Sequence, residues 1–177
     1  MRWMSHTMIG ASVCAVWDPA LMPWAVLGST APDWLEWLGR QHRPIHRVLH
    51  RGVTHTLLGW VLCMGAGWLG GEWGRALLAF GLAGVLHWVC DALTVSGAPL
   101  TWWSQHRSTL FGGRLRQGSP TERAVAVSIA LGCALLLGWR GSSDPLDFSP
   151  YVMPWRAHYQ SGLLDAAEWR QHRFHPF

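Results

Sequence analysis

Residues 75–95 read RALLAFGLAGVLHWVCDALTV, and this stretch decides the fold class. Most of it is apolar, and its length is sufficient to cross a bilayer, which requires about 20 residues. His87 and Asp91 lie four residues apart near its end, so their side chains share one face of a helix. Ionisable residues at such a position are costly to bury and usually serve a function. The stretch therefore predicts a membrane-spanning helix with polar chemistry at one end.

Two further apolar segments predict membrane spans on either side of this stretch. Residues 53–70 are almost wholly apolar and have about the minimum length for a span. Residues 124–139 contain no charge, and Arg123 and Arg140 bracket them. Tryptophans cluster near the ends of these runs, where aromatic belts form at membrane interfaces. We therefore expect an all-α, polytopic membrane helical bundle with about three full spans, at 53–70, 75–95 and 124–139.

The first apolar region is divided by Asp18 and Pro19 into two segments of about ten residues each. Each segment is too short to cross a bilayer. A broken hairpin over residues 8–29, with both ends on the same side, is the favoured interpretation. One full span kinked at Pro19 is the alternative.

The composition supports a membrane protein over a nucleic-acid-binding one. Only 14% of the 177 residues are charged, against about a quarter in soluble domains. The net charge of +4 comes from arginines, since the chain has no lysine, and these lie in loops between the apolar runs. That placement is typical of the positive-inside bias, so the expected partner is the lipid bilayer and not a nucleic acid. We expect a membrane-embedded domain over residues 1–140 and a polar C-terminal tail over 141–177.

The charge bias also predicts which polar residues meet. The loops at 40–51 and 105–123 each carry four arginines, so both are expected on the cytoplasmic side, with the hairpin at 70–75 outside. This alternation brings histidines and carboxylates from distant parts of the sequence to one membrane face: His6, Asp33, Glu36, His50, His55, His87 and Asp91.

Two local motifs strengthen this convergence. In the sequence His50-Arg51-Gly52-Val53-Thr54-His55, Thr54 can cap a helix or orient a ligand. Pro32 could begin a helix, which would place Asp33 and Glu36 one turn apart. The structural alternatives are compensation of the helix dipole by these carboxylates and a His87–Asp91 hydrogen bond that only joins two helices.

Histidine and carboxylate ligands without a thiolate suit a divalent metal, with Zn²⁺ favoured and Mn²⁺ or Fe²⁺ as alternatives. Glu36 and His50 are candidates for a general base or a further ligand, and Arg51 for stabilising an anionic transition state. His42 and His46 are interpreted as part of a solvated basic face, and His158, His172 and His175 are also excluded from the cluster. The predicted metal ligands are His6, Asp33, His55, His87 and Asp91.

Taken in order, these motifs resemble the YdjM-like family of LexA-regulated inner-membrane proteins, which are regarded as metal-dependent hydrolases. The resemblance extends over about residues 4–138. His-Arg-Gly-x-Thr-His at 50–55 is its most specific part, and the segment Gly112–Ser119 with Glu122 also fits. The chain departs from the family pattern at Glu36, where the family often has Asp, and at 98–103, where the family is richer in proline. These departures concern Glu36, a candidate further ligand, and the residues expected at the rim of the site.

The resemblance implies a multi-pass location in the bacterial inner membrane and a metal site. A fainter likeness to zinc-dependent phospholipases C and related nucleases favours phosphodiester chemistry. The leading hypothesis is a membrane-embedded, metal-dependent hydrolase that acts on a phosphoester or lipid-like substrate at the cytoplasmic face. The alternative is a non-catalytic membrane subunit or partner-binding protein with a structural His/Asp cluster. A metal or proton carrier is disfavoured, because the segments 53–70 and 124–139 offer no ionisable path.

Overall fold

The computed structural model describes residues 1–39, 53–71, 73–104 and 106–139, together with residues 162, 165–167 and 170 of the tail. The chain divides into two compact units, Met1–Cys133 and Ala134–Phe177. Most of the predicted tail, 141–177, lies outside the described residues, so the predicted domain division stays a prediction.

Five α-helices dominate the described residues, which confirms the all-α class. Two helices are long and apolar enough to cross a membrane, Gly74–Ala92 and the Pro120–Leu137 part of the last helix. Two 3₁₀ turns, Pro19–Leu21 and Val53–His55, and a short antiparallel ribbon of β1 (Ala98–Pro99) and β2 (Arg107–Ser108) complete the described elements. The helices are α1 (Trp3–Trp17), α2 (Met22–Gly39), α3 (Leu57–Leu69), α4 (Gly74–Ala92) and α5 (Pro120–Trp139).

The predicted N-terminal hairpin is confirmed, and it is longer than residues 8–29. The Asp18 side chain accepts a hydrogen bond of 3.0 Å from the Ala20 nitrogen and so caps the 3₁₀ turn between α1 and α2. Beyond this turn α2 packs back along α1, with Gly10 against Ser29. The alternative of one span kinked at Pro19 is therefore wrong.

Three predicted boundaries are corrected. The span predicted at 53–70 is a helix of only 13 residues, about 20 Å long, because residues 53–55 form a 3₁₀ turn in which the Thr54 carbonyl accepts from Trp60 Nε1 at 2.8 Å. Pro32 does not begin a helix but lies inside α2, as membrane helices tolerate. The last helix begins at Pro120 rather than at residue 124, since proline suits the first turn of a helix.

Helix α4 lies at the centre of the bundle and packs against α1, α2 and α3. Glycines allow the close approach: a Cβ atom at Gly28 would meet the Phe80 carbonyl, and one at Gly81 would meet the Met64 backbone. Small residues at helix contacts are typical of membrane bundles, in which backbones pack closely. This packing fixes the end of α4 relative to the ends of its neighbours.

The up-and-down path of the helices gives the bundle two distinct ends. α1 and α3 begin, and α2 and α4 finish, at the end that holds His6, His55 and His87, which we call the site end. At the opposite end, the far end, an ion pair joins Asp18 to Arg75. Both ends are defined within the first compact unit.

Candidate metal centre

The site end brings together all five residues that the sequence predicts as metal ligands. Within two groups, one potential ligand atom per residue lies within 4.8 Å of each of the others. The first group is His6, His87 and Asp91, and the second is Asp33, His55 and His87. His87 belongs to both groups and is therefore the centre of the cluster.

The hydrogen bond of His87 determines which of its nitrogens is available. His87 Nδ1 lies 2.7 Å from the Ser29 carbonyl oxygen, which only accepts, so Nδ1 carries the proton. In the neutral ring Nε2 then holds a lone pair. Nε2 is buried and has no hydrogen-bond partner in the part of the chain that the structure describes, and it lies 3.4 Å from Asp91 Oδ2. A buried imidazole nitrogen beside a carboxylate is a candidate metal ligand.

His6 approaches the same carboxylate from α1. Its ring stacks on His87 with centroids 3.7 Å apart and planes 12° apart. His6 Nε2 lies 3.3 Å from Asp91 Oδ1, while His6 Nδ1 is buried and has no hydrogen-bond partner among the described residues. The stacked rings therefore bring one imidazole nitrogen from α1 and one from α4 to the same carboxylate.

Asp91 is the carboxylate on which the first group converges. Besides the two histidines, the Met1 amino nitrogen lies 2.5 Å from Asp91 Oδ1. The Thr94 hydroxyl donates to the Asp91 carbonyl at 2.7 Å and closes the last turn of α4. Asp91 is 19% exposed, so one side of this carboxylate faces solvent.

His55 and Asp33 form the second edge of the cluster. His55 Nε2 lies 3.3 Å from Asp33 Oδ1, and His55 Nδ1 lies 3.0 Å from the Thr54 hydroxyl. The Thr54 hydroxyl therefore contacts the ring of a predicted ligand, and its ligand-orienting role stays a prediction. The His55 ring also lies edge-on to His87, with centroids 5.3 Å apart.

Of the three predicted catalytic residues, the structure describes Glu36. Glu36 is half-buried in α2, one turn beyond Asp33, and belongs to neither group of candidate ligands. His50 and Arg51 lie outside the described residues, as do the five histidines excluded from the cluster.

The sequence does not predict the supporting role of Ser29, although Ser29 lies in the same stretch as Pro32 and Asp33, Gly-Ser-Thr-Ala-Pro-Asp at 28–33. A small polar residue inside an apolar helix is a signal that could have identified it. Glu122 was noticed only as part of the family resemblance. Its carboxylate is fully buried and accepts from the Arg2 nitrogen and the Ser5 hydroxyl, each at 2.7 Å, and from the Gly118 nitrogen. Glu122 therefore caps the beginning of α1. This helix begins at Trp3, three residues before His6.

A cavity of about 300 Å³ adjoins the cluster. Asp33, His55 and Asp91 form part of its wall, and Arg107 and Gln117 are among the residues that complete it. By its sequence position, Arg107 is one of the four arginines in the loop at 105–123 that predict membrane topology. Nothing in its local sequence distinguishes it from the other loop arginines, so tertiary structure alone identifies it.

The residues present fit a divalent metal ion. They offer imidazole nitrogens and carboxylate oxygens without a thiolate, a set that suits Zn²⁺ and, with more oxygen, Mn²⁺ or Fe²⁺. The backbone carbonyl on His87 and the hydroxyl beside His55 are the kind of supporting contacts that orient metal-bound histidines. Two buried side-chain nitrogens have no hydrogen-bond partner among the described residues, and both belong to this cluster: His6 Nδ1 and His87 Nε2.

Comparison with curated proteins and with solved structures gives no match. The profile of a family described as YdjM inner membrane protein matches residues 1–145, which contain every described residue of the cluster and the cavity. Together with the two helices that are long and apolar enough to cross a membrane, this match supports a location in the bacterial inner membrane. The chain belongs to the YdjM inner membrane protein family.

Proposed function

We propose that the protein is a membrane-embedded, metal-dependent hydrolase that acts on a phosphoester or lipid-like substrate at the cytoplasmic face. The observation that carries the proposal is the convergence of two buried imidazole nitrogens, His6 Nε2 and His87 Nε2, on the Asp91 carboxylate, where His87 Nε2 has no hydrogen-bond partner among the described residues. Burying ionisable groups in a membrane protein is costly, and such groups are usually retained for function.

A divalent ion at this cluster would make bound water acidic enough to supply hydroxide near neutral pH. The ion would be Zn²⁺, with Mn²⁺ or Fe²⁺ as alternatives. The Ser29 carbonyl keeps His87 in one tautomer, and the Thr54 hydroxyl orients the His55 ring. The residues that would hold the ion are His6, Asp33, His55, His87 and Asp91.

The tautomer of His87 favours one ion per chain. Both candidate groups need His87, and its Nδ1 is already bound to Ser29. Only Nε2 remains, and one nitrogen lone pair ligates one ion. We therefore expect the two groups to act as parts of one site.

The cytoplasmic placement follows from the arginines near the site end. Arg107, Arg114 and Arg116 lie in the polar segment after α4, which returns to the site end. Basic loops are retained on the cytoplasmic side. Glu36 and His50 remain candidates for a general base or a further ligand, and Arg51 for stabilising an anionic transition state.

The test is the metal content of the full chain, purified without chelator and measured by elemental analysis. We expect about one equivalent in the wild type and less than a tenth in His87→Ala. His106→Ala is the matched control, because His106 is exposed and belongs to neither group. Metal-dependent hydrolysis of a phosphomonoester and a phosphodiester probe should be present in the wild type and in His106→Ala, and it should be lost in His87→Ala. A wild type with less than a tenth of an equivalent of transition metal would refute the proposal.

One observation favours the second candidate, a structural cluster in a non-catalytic membrane subunit. Asp91 already contacts the Met1 nitrogen and both histidines, so the cluster could serve only to join α1 to α4. This candidate expects His87→Ala to lower the unfolding temperature by the same amount with and without added metal. The metal site expects added Zn²⁺ to raise the unfolding temperature of the wild type and not that of the variant.

A further inference from the structure

We propose that Arg107 is a specificity-determining residue that binds a phosphate group of the substrate within the cavity beside the His/Asp cluster. This inference rests on the proposed function and adds the charge and chemical class of the group that is recognised. It also identifies an arginine that the sequence did not single out.

The first step is that one cavity joins the cluster to Arg107. Its wall on one side includes Asp33, His55 and Asp91, and on the other side it follows the chain from Thr94 to Pro99 and includes Arg107. A volume of about 300 Å³ lies at the lower end of the range of small-molecule sites. A ligand in this space contacts both the cluster and the guanidinium.

The second step is that the backbone of Arg107 is held firmly against α4. Arg107 pairs with Pro99 in the ribbon, and the Pro99 carbonyl accepts from Trp88 Nε1 at 2.8 Å. Trp88 is buried and adjoins His87 in sequence. Gly97 has a φ of +62°, and a Cβ atom there would lie 2.9 Å from the Ser108 carbonyl oxygen. The ribbon and the cluster are therefore positioned by the same end of one helix.

The third step concerns charge. Asp33 and Asp91 alone would repel an anion from the cavity. A divalent cation at the cluster offsets these two carboxylates, and the guanidinium then makes the cavity attractive to an anion. Arg107 Nη1 lies 3.5 Å from the Gly97 carbonyl oxygen. Because a guanidinium has five N–H donors, it can bind a phosphate through two parallel hydrogen bonds while it keeps contacts with the protein.

The same phosphate chemistry could come from a soluble ester or from a lipid headgroup. Trp3 lines the cavity and is 57% exposed, as suits an aromatic residue at a membrane interface. Two probes separate these sources: inorganic phosphate and a short-chain phosphatidic acid below its critical micelle concentration.

The experiment measures the affinity of the full, detergent-solubilised chain for each probe by calorimetry, with the metal content of every sample determined in parallel. Arg107→Gln should weaken binding of the preferred probe by about tenfold or more, the size expected for a lost charge-assisted hydrogen bond. Arg107→Lys should recover part of this loss, since it restores charge without the planar fork. Arg114→Gln is the matched control, because Arg114 is an exposed arginine of the same loop outside the cavity; its affinity should stay within about twofold of the wild type.

The probe that binds more tightly identifies the source of the phosphate group. The inference is overturned if the wild type binds neither probe, if Arg107→Gln binds as the wild type does, or if Arg114→Gln loses as much affinity. Metal content separates this result from the proposed function. A metal-loaded Arg107→Gln that keeps wild-type affinity refutes only the role of Arg107. A metal-free wild type whose phosphate affinity still depends on Arg107 refutes the hydrolase and the need for a cation in the cavity, and it supports the role of Arg107.

Discussion

The two ends of the helical bundle use polar groups in different ways. At the site end, the side chains of His6 and His87 are each 1% exposed and converge on Asp91. At the far end, Arg75 is 70% exposed where it pairs with Asp18. The same helices therefore carry buried, converging polar groups at one end and an ion pair open to its surroundings at the other.

The difference shows that polarity alone does not mark a functional site in a membrane bundle. An exposed ion pair contributes little to stability and needs no further partner. Buried imidazole and carboxylate groups are costly unless something compensates them. Since His6 and His87 each keep a buried nitrogen without a hydrogen bond to any described residue, we place the proposed metal site at the site end.

The largest expected effect comes from comparing one carboxylate at each end. Asp91→Asn should weaken metal binding by about 100-fold or more, because it removes the charge shared by His6 and His87. Asp18→Asn should leave metal affinity unchanged. Both are measured by competition with a zinc-binding dye. Equal affinities in the two variants would contradict the functional distinction between the ends.

The next effect concerns the packing that sets the site end. Gly28→Ala should lower the free energy of unfolding by about 1–3 kcal/mol, because its Cβ meets the Phe80 carbonyl and drives α2 from α4. This displacement also loosens the contact between Ser29 and His87. Thermal unfolding in detergent measures the change.

Gly65→Ala is the matched control for Gly28→Ala. Gly65 lies in α3, and nothing is within 4 Å of an added Cβ there. Its unfolding free energy should stay the same or rise slightly, since alanine favours helix over glycine. If both variants lose the same stability, the close α2–α4 contact does not set the packing.

A smaller effect is expected at the cap of α1. Glu122→Gln keeps one carbonyl acceptor and loses the charge that binds the Arg2 nitrogen and the Ser5 hydroxyl. We expect a loss of about 1–2 kcal/mol in unfolding free energy. Metal affinity should fall by less than in Asp91→Asn, because Glu122 acts on His6 only through the position of α1. A greater loss of metal in Glu122→Gln would contradict this order.

The smallest effect is expected at the far end. Arg75→Gln removes the ion pair with Asp18, whose arginine is mostly exposed. Such pairs contribute about 0–1 kcal/mol. Its unfolding temperature should therefore lie close to that of the wild type, and closer still at high salt. A loss as large as that of Gly28→Ala would show that the far end is also a structural centre.

Much of the fold could be predicted because apolar length and turn residues are local signals. The helix at α4, the hairpin broken at Asp18 and Pro19, and the all-α class all follow from them. Boundaries could not be predicted as well. Pro32 continues α2, and residues 53–55 leave the helix, because tertiary contacts such as Trp60 with the Thr54 carbonyl override local preference.

The sequence by itself determined that the candidate ligands lie together at one end of the bundle, since helical periodicity and the direction of each apolar segment fix where His87 and Asp91 must lie relative to His55. Only the tertiary structure decided that Ser29 sets the tautomer of His87, that Glu122 holds α1 and that Arg107 faces the cavity. The physical reason is separation along the sequence: Ser29 lies 58 positions from His87, and Glu122 lies 120 positions from Arg2. Helical periodicity relates only residues a few positions apart, so the folded chain alone specifies which of these side chains meet.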